Sequence, residues 1–467
     1  MSIPLAHASR HASLVLGLAL LLAGSAAAQE RPAQKPMRYD ENWSPMLDPA
    51  RRSAPLDALK AIPLNADGSW YLTLGGELRE RYESSRHPVF GLRSPPKNDY
   101  LLHRALLFGD LRLGPHGRAF VELVNGLVGG WDGTPPPTQK DQLDLLQGFG
   151  ELTLPAAGGE AMLRAGRQEI SFGSSRLVSV REGPNVRRAF DGIRTAWTGE
   201  PGRVDVFLVR PVSPETGSFN DGSDQDQAFW GSYATGPVPG VPDLKADLYY
   251  LGLERDGARY AQGTGTEHRH TVGARLFGER AGFDWNVEGA FQFGSFGQGS
   301  IRAWTLSSNA GFTFTGLPFS PRLGLNADAI SGDGDLGDDR LETFNPLFPK
   351  LPYFSEANLV APANLLDIQP NLTLALTPAV SMNLGWNALW KQAKADAFYA
   401  PPLSPVAGTA GGDSRFIGQQ ASVSLEWQAT EQLVFGGSYV QFTPGSATRE
   451  AGGRSGNFLT AWMQFRF

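Results

Sequence analysis

Arg164, Arg167, Arg176, Arg181, Arg187, Arg188 and Arg194 crowd one stretch of the chain, with Glu169, Glu182 and Asp191 interleaved. A guanidinium is a planar fork of N–H donors that grips a carboxylate through two parallel hydrogen bonds, so such a run suits binding of organic acids. The same residues could equally pair among themselves and brace the structure, and spacing alone leaves both readings open. A second cluster, from Gly332 and Asp333 through Asp335 to Asp338 and Asp339, offers hard oxygen donors for Ca²⁺, with Asp333 and Asp335 as first ligands. It lacks the full ligand spacing of an EF-hand, which favours a solvated acidic loop. No other cofactor is expected.

Bond-making chemistry has little to work with. The chain has no cysteine, no GxSxG and no HExxH. His268 and His270 share a face on a predicted strand but have no third ligand partner in sequence, and His87, His103 and His116 stand alone. An enzyme is therefore not expected. The net charge of −6 leaves no basic surplus to neutralise phosphates, which argues against nucleic acid as a partner.

The elements that must hold these arginines are strands. Arg10 and His11, the apolar run Ser13 to Gly24, and Ala26-Ala27-Ala28 read as a secretory signal peptide over residues 1–28. Residues 29–69 form a polar, Pro-rich periplasmic lead-in. From Trp70 to Phe467 the pattern is segments of about ten residues alternating apolar and polar, the signature of a transmembrane β-barrel strand. In 283–294, Phe283, Trp285, Val287, Phe291 and Phe293 oppose Asp284, Asn286, Glu288 and Gln292; in 379–391, Val380, Met382, Leu384, Trp386 and Trp390 oppose Ser381, Asn383, Asn387 and Lys391.

Eighteen such segments are counted, with long connections such as 83–99, 171–187, 254–267 and 332–363 alternating with short ones such as 114–116, 279–281 and Pro378. An even count with long and short connections in turn predicts an all-β, antiparallel transmembrane barrel with long extracellular loops and short periplasmic turns. A barrel of this size leaves an aqueous lumen unless loops fill it. The chain closes on Leu459, Ala461, Met463, Phe465 and Phe467 along one face, resembling the outer-membrane assembly signal.

Several stretches, in order, carry a family resemblance: Arg38-Tyr39-Asp40-Glu41-Asn42-Trp43-Ser44, Leu74-Gly75-Gly76-Glu77-Leu78-Arg79-Glu80-Arg81-Tyr82-Glu83, Gly166-Arg167-Gln168-Glu169-Ile170, Arg181-Glu182-Gly183-Pro184-Asn185-Val186-Arg187, and Phe344-Asn345-Pro346-Leu347-Phe348-Pro349. With these the chain resembles the alginate export family of outer-membrane porins. The resemblance implies a channel whose arginines bind a polyuronate, with Arg79, Arg81, Arg164, Arg167, Arg181, Arg187, Arg194 and Arg275 as the basic residues and Glu77, Glu169 and Asp191 as the acidic ones. Lys350-Leu351-Pro352-Tyr353-Phe354 departs from the His-bearing run the family suggests there.

The expectation is thus a passive, anion-selective channel in the bacterial outer membrane, in contact with lipid, an acidic saccharide or small anionic solute, and periplasmic export partners. The alternatives are a general diffusion porin and a plugged structural or adhesion barrel.

Overall fold

The computed structural model describes residues 31–467; the signal segment expected at 1–28 lies outside the described residues. Eighteen long strands follow one another. They are β1 Trp70–Arg86, β2 Lys97–Leu113, β3 Gly117–Gly129, β4 Asp141–Ala156, β5 Gly159–Gln168, β6 Phe190–Gly199, β7 Gly202–Ser213, β8 Gln227–Pro237 and β9 Leu244–Tyr260. The second half is β10 Gly263–Arg280, β11 Phe283–Phe296, β12 Gly299–Thr313, β13 Arg322–Ile330, β14 Leu365–Thr377, β15 Val380–Trp390, β16 Phe416–Gln428, β17 Leu433–Pro444 and β18 Gly456–Arg466. Each pairs antiparallel with the next, and β18 returns to β1 in register from Glu77 opposite Arg466 to Arg86 opposite Asn457. Closure leaves no sheet edge unpaired, as a hydrocarbon surrounding demands.

Alternation sorts the side chains. Along β7, Val204, Val206 and Leu208 point outward while Asp205, Phe207 and Val209 point inward; Leu208 is 63% exposed and Phe207 3%. Leu107, Leu163, Ile193, Leu248, Leu306 and Leu323 continue the outward apolar surface around the barrel. A continuous exposed apolar belt of this extent suits lipid rather than water.

Connections at one end are turns: residues 114–116, 157–158 and 281–282 among them. Those at the other end are mostly loops, with two exceptions. The long connection expected over 254–267 is instead a hairpin extension. β9 and β10 stay paired past a bulge between Arg255 and Ala258 as far as Tyr260 opposite Gly263. Gly257 and Gly263, at φ +62° and +153°, take the positive dihedrals that let the bulge and the tight turn form. Residues 297–298 turn just as tightly.

Two loops fold inward, 169–189 after β5 (loop 3) and 331–364 after β13 (loop 7). Ile170, Leu177 and Val178 of loop 3 and Phe344 and Phe348 of loop 7 pack with Phe190, Phe207 and Phe229 of the wall into one buried apolar cluster. The loops are tied by backbone bonds from Phe348 N to Leu177 O (2.9 Å), Lys350 N to Ser175 O (2.9 Å) and Gly183 N to Leu351 O (2.9 Å). A Cβ on Gly183 would lie 2.5 Å from the Leu351 carbonyl oxygen, so the close crossing requires glycine.

The lead-in packs into the turn end of the barrel. Tyr39, Trp43 and Met46 are buried, Tyr39 edge-on to Phe149 (5.7 Å between ring centroids) and its hydroxyl donating to Glu169 O at 2.9 Å. Ile62–Pro63 pairs with the start of β1.

Candidate functional site

Alternation places Glu77, Arg79 and Arg81 of β1, Arg104 of β2, Arg164 of β5, Arg194 of β6 and Arg275 of β10 on the inner wall, where loop 3 meets them. The chemistry of each is decided by its partner. Arg104 Nε and Nη2 donate to Glu77 Oε1 at 2.9 and 2.6 Å. Arg38 of the lead-in reaches the other oxygen of Glu77, and Glu182 of loop 3 accepts from Arg104. Arg79 donates to the Glu182 carbonyl at 3.0 Å. Arg187 lies 2.8 Å from Glu169 and 3.3 Å from Glu182. Glu77, Arg104, Glu122, Gln147 and Glu169 are fully buried. Burial works to raise the Glu182 carboxyl, but the nearby guanidinium groups, Arg104 foremost and then Arg187, outweigh it and hold the group below its usual range. This ionic knot welds lead-in, wall and loop 3 together, and each of its arginines lies within ion-pair distance of a carboxylate.

The remaining expected residues are also paired. Arg164 grips Glu151 (2.5 Å) and stacks 4.1 Å from the Tyr39 ring centroid; Arg194 pairs with Asp205 (2.8 Å) and Arg275 with Asp247 (2.7 Å). All three line a cavity of about 680 Å³ at the turn end, shared with Tyr39, Glu41 and Arg118. Arg167 and Asp191 correct the sequence expectation. They grip each other bidentately at 2.8 and 3.0 Å on the face of β5 and β6 opposite Arg164 and Arg194, where Arg167 also donates to the Asp221 carbonyl of loop 4, residues 214–226. Alternation, with period two, excludes them from the inner wall shared by those neighbours.

Arg181 differs. Its Nε donates to Pro349 O at 3.3 Å, and no carboxylate lies within ion-pair distance among the described residues. Burial, then the like charges of Arg188 and Arg255, push its guanidinium well below its usual value. Arg188, likewise without a carboxylate partner among the described residues, sits 5.6 Å from the Phe348 ring centroid. Both open onto a cavity of about 530 Å³ at the loop end, whose wall also carries Arg93, Asn98, Tyr100, Trp131 and Gln139. Tyr100 and Trp131 lie against each other, 4.4 Å between centroids. Like charges held together with no ion-paired carboxylate make a local positive potential that attracts an anion, while Glu83, Glu356 and Asp221 stand elsewhere on the same wall. Arg93 and Trp131 were missed from the sequence as site residues, whereas Arg188 stood in the arginine-rich run without being among the residues the resemblance implies. Both members of the Arg187-Arg188 doublet line the cavity, and among the described residues only Arg187 also pairs with a carboxylate, Glu169.

Pro352 and Glu356 of loop 7 stand in the wall of this cavity and of a second one, about 420 Å³, that continues toward the turn end past Ser381, Ser424, Glu426 and Trp462. Arg81 bridges the junction, donating to Glu356 Oε2 and Glu83 Oε1, each at 2.6 Å. The departure noted at Lys350–Phe354 therefore falls where two cavities meet.

Asp333 and Asp335 serve their own loop: Asp335 N donates to Asp333 Oδ1 (3.1 Å) and Gly337 N to Asp335 Oδ1 (3.0 Å). The histidines are dispersed, His103 on Glu80 and His270 on the Tyr250 hydroxyl.

The comparisons agree with this geometry. The family model described as alginate export matches residues 70–462. No curated protein sequence matches the chain. Among solved structures, the chain is similar to Pseudomonas aeruginosa OpdO (12% identity, 85% of this chain and 97% of that one, TM-score 0.58). It is similar too to a BenF-like porin from Pseudomonas fluorescens Pf-5 (9%, 85% and 98%, TM-score 0.57). A third is Pseudomonas aeruginosa OccK2 (OpdF), solved in complex with glucuronate (12%, 85% and 98%, TM-score 0.54). At such identities the likeness is one of fold. A closed barrel with a lipid-facing belt, its loops folded into the lumen, and a family match over nearly the whole barrel lead to one conclusion: the chain is an outer-membrane channel and belongs to the alginate export family.

Proposed function

We propose that this channel passively admits small organic anions, carboxylate-bearing sugars above all, and that Arg181 and Arg188 select them. The observation that carries the reading is the contrast in pairing: the arginines of the ionic knot and of the turn-end cavity have carboxylate partners, while Arg181 and Arg188 have none among the described residues. The cavity they face falls in the size range of about 300–1,000 Å³ that holds small ligands. Tyr100 and Trp131 add flat apolar rings for the C–H faces of a sugar, and Asn98 and Gln139 add amide donors. OccK2, of the same fold, was solved with glucuronate, a sugar of this class. The filling of the lumen by loops 3 and 7 and the lead-in favours a solute of monosaccharide size over a threaded polymer. Conduction needs sites that bind weakly and release, which two arginines supply without the full cage of a high-affinity site.

The test is reversal potential in a planar bilayer under a salt gradient, with and without glucuronate. Anion preference is expected, with glucuronate reducing the current. In the Arg181→Ala/Arg188→Ala variant the preference collapses and half-block by glucuronate needs roughly tenfold more ligand or above, the scale of a lost charge-assisted hydrogen bond. Non-selective conductance in the unaltered protein would reduce it to a general diffusion porin; no conductance at all would favour a plugged barrel.

A further inference from the structure

Asp141, at the loop end of β4, is fully buried, and neither of its carboxylate oxygens has a hydrogen-bond partner. A buried carboxylate left this way is costly, and native structures rarely keep one without a purpose. Its surroundings make matters worse electrostatically. Asp141, Asp144 and Asp221 each offer an oxygen, the three atoms lying within 4.8 Å of one another. Two oxygens on opposite sides of a Ca²⁺, each about 2.4 Å away, are separated by that same distance, so the three can share one ion.

We infer that Asp141, Asp144 and Asp221 form a Ca²⁺ site on the extracellular side that pins loop 4 to the barrel wall. The backbone is already shaped for it. Gln142 N donates to Gly217 O at 3.0 Å, Phe219 N to Leu143 O at 2.9 Å, and Leu143 bridges Ser218. Asn220 N and Asp221 N donate to Asp144 Oδ2 at 2.7 and 3.1 Å, which fixes that carboxylate. Asp221 Oδ1 accepts from Glu215 N at 2.6 Å. Among the described residues Arg167 is the one cation within ion-pair distance of the three, 3.9 Å from Asp144, and Asp191 already holds its fork. Three carboxylates therefore face one another with little compensation. Flexible all-oxygen coordination, with water completing the shell, suits Ca²⁺ better than Mg²⁺, which requires a near-ideal octahedron.

The site does not depend on the cargo. It has a consequence for it, however, because Asp221 lines the same cavity as Arg181 and Arg188. Occupancy offsets two of the three carboxylate charges beside those arginines and so weakens the repulsion this rim presents to anions.

The experiment is calorimetric titration of CaCl₂ into the full-length barrel refolded in detergent after EDTA treatment, with thermal unfolding alongside. One saturable Ca²⁺ per chain is expected, with affinity in the 10⁻⁴–10⁻³ M range typical of extracellular sites. Asp141→Asn weakens binding by roughly tenfold or more and abolishes the Ca²⁺-dependent rise in melting temperature. Asp221→Asn, on the loop side, does the same and stands in if the Asp141 variant fails to refold. Absence of saturable binding up to about 10 mM, or unchanged binding in both variants, overturns the proposal. Loss of binding in Asp333→Asn, with both variants behaving as wild type, would place the ion in the 333–339 loop and overturn it as well.

Discussion

A single lysine shows how tightly the lead-in is engaged. Lys60 is fully buried. It donates to Leu74 O at 2.8 Å and lies over the Trp43 ring at 4.5 Å, with Phe108 and Phe467 at 5.3 and 5.6 Å. Burial lowers its pKa to about 8, with Glu41 opposing the shift and Arg31 adding to it. A lysine released to solvent titrates near its ordinary value, so between pH 8 and 10.5 the undocked lead-in binds more protons than the docked one. Docking is therefore weakest below pH 8, strengthens as pH rises through that window and levels off above it. The full difference is on the order of 3 kcal/mol. Trp43 fluorescence across pH 7 to 10.5 in dilute denaturant should show the lead-in releasing at higher denaturant as pH rises, and Lys60→Met should remove the dependence. A pH-independent release midpoint would show that Lys60 does not titrate on docking.

Among the elements, loop 7 has the most leverage over passage. Its Glu356 meets Arg81 at the junction of the two cavities, and Arg81 keeps Glu83 when Glu356 is removed. Glu356→Ala should therefore open the junction without stranding a buried charge. Single-channel conductance rises and anion preference increases, because one negative charge leaves the path. Glu356→Gln keeps the bulk and loses the charge, so it raises anion preference with a smaller gain in conductance. Equal conductance in both variants and the wild type would place the path elsewhere. None of this was legible in the sequence. Alternation announced the strands, and the family resemblance brought Arg79, Arg81 and Arg164 forward. Alternation could not name Glu356 as a partner, since an ion pair separated by 275 positions leaves no periodic trace. The 254–267 segment misled for a related reason: its glycines and charges read as loop, although paired backbone carries them beyond the membrane as a hairpin.

At the scale of the whole molecule, the barrel is built inside out relative to a soluble protein, and this was the most readable property of the chain. Leu208 lies near the middle of β7, 63% exposed, with Phe207 and Val209 beside it facing the loop-packed interior. The period of two means that neighbours in sequence meet opposite solvents. An arginine at Leu208 would enter hydrocarbon, at a cost of about 2–4 kcal/mol for a position near the bilayer midplane. The same substitution at Leu113, where β2 ends at the turn side, lies close to the interface and should cost about 0–1 kcal/mol. Reversible unfolding in lipid vesicles measures both. A large loss at Leu208 with a small one at Leu113 follows from a lipid-facing belt whose depth varies along each strand. Equal, negligible losses at the two positions would mean that this surface meets water, and the outward leucines would then demand a protein partner in place of lipid.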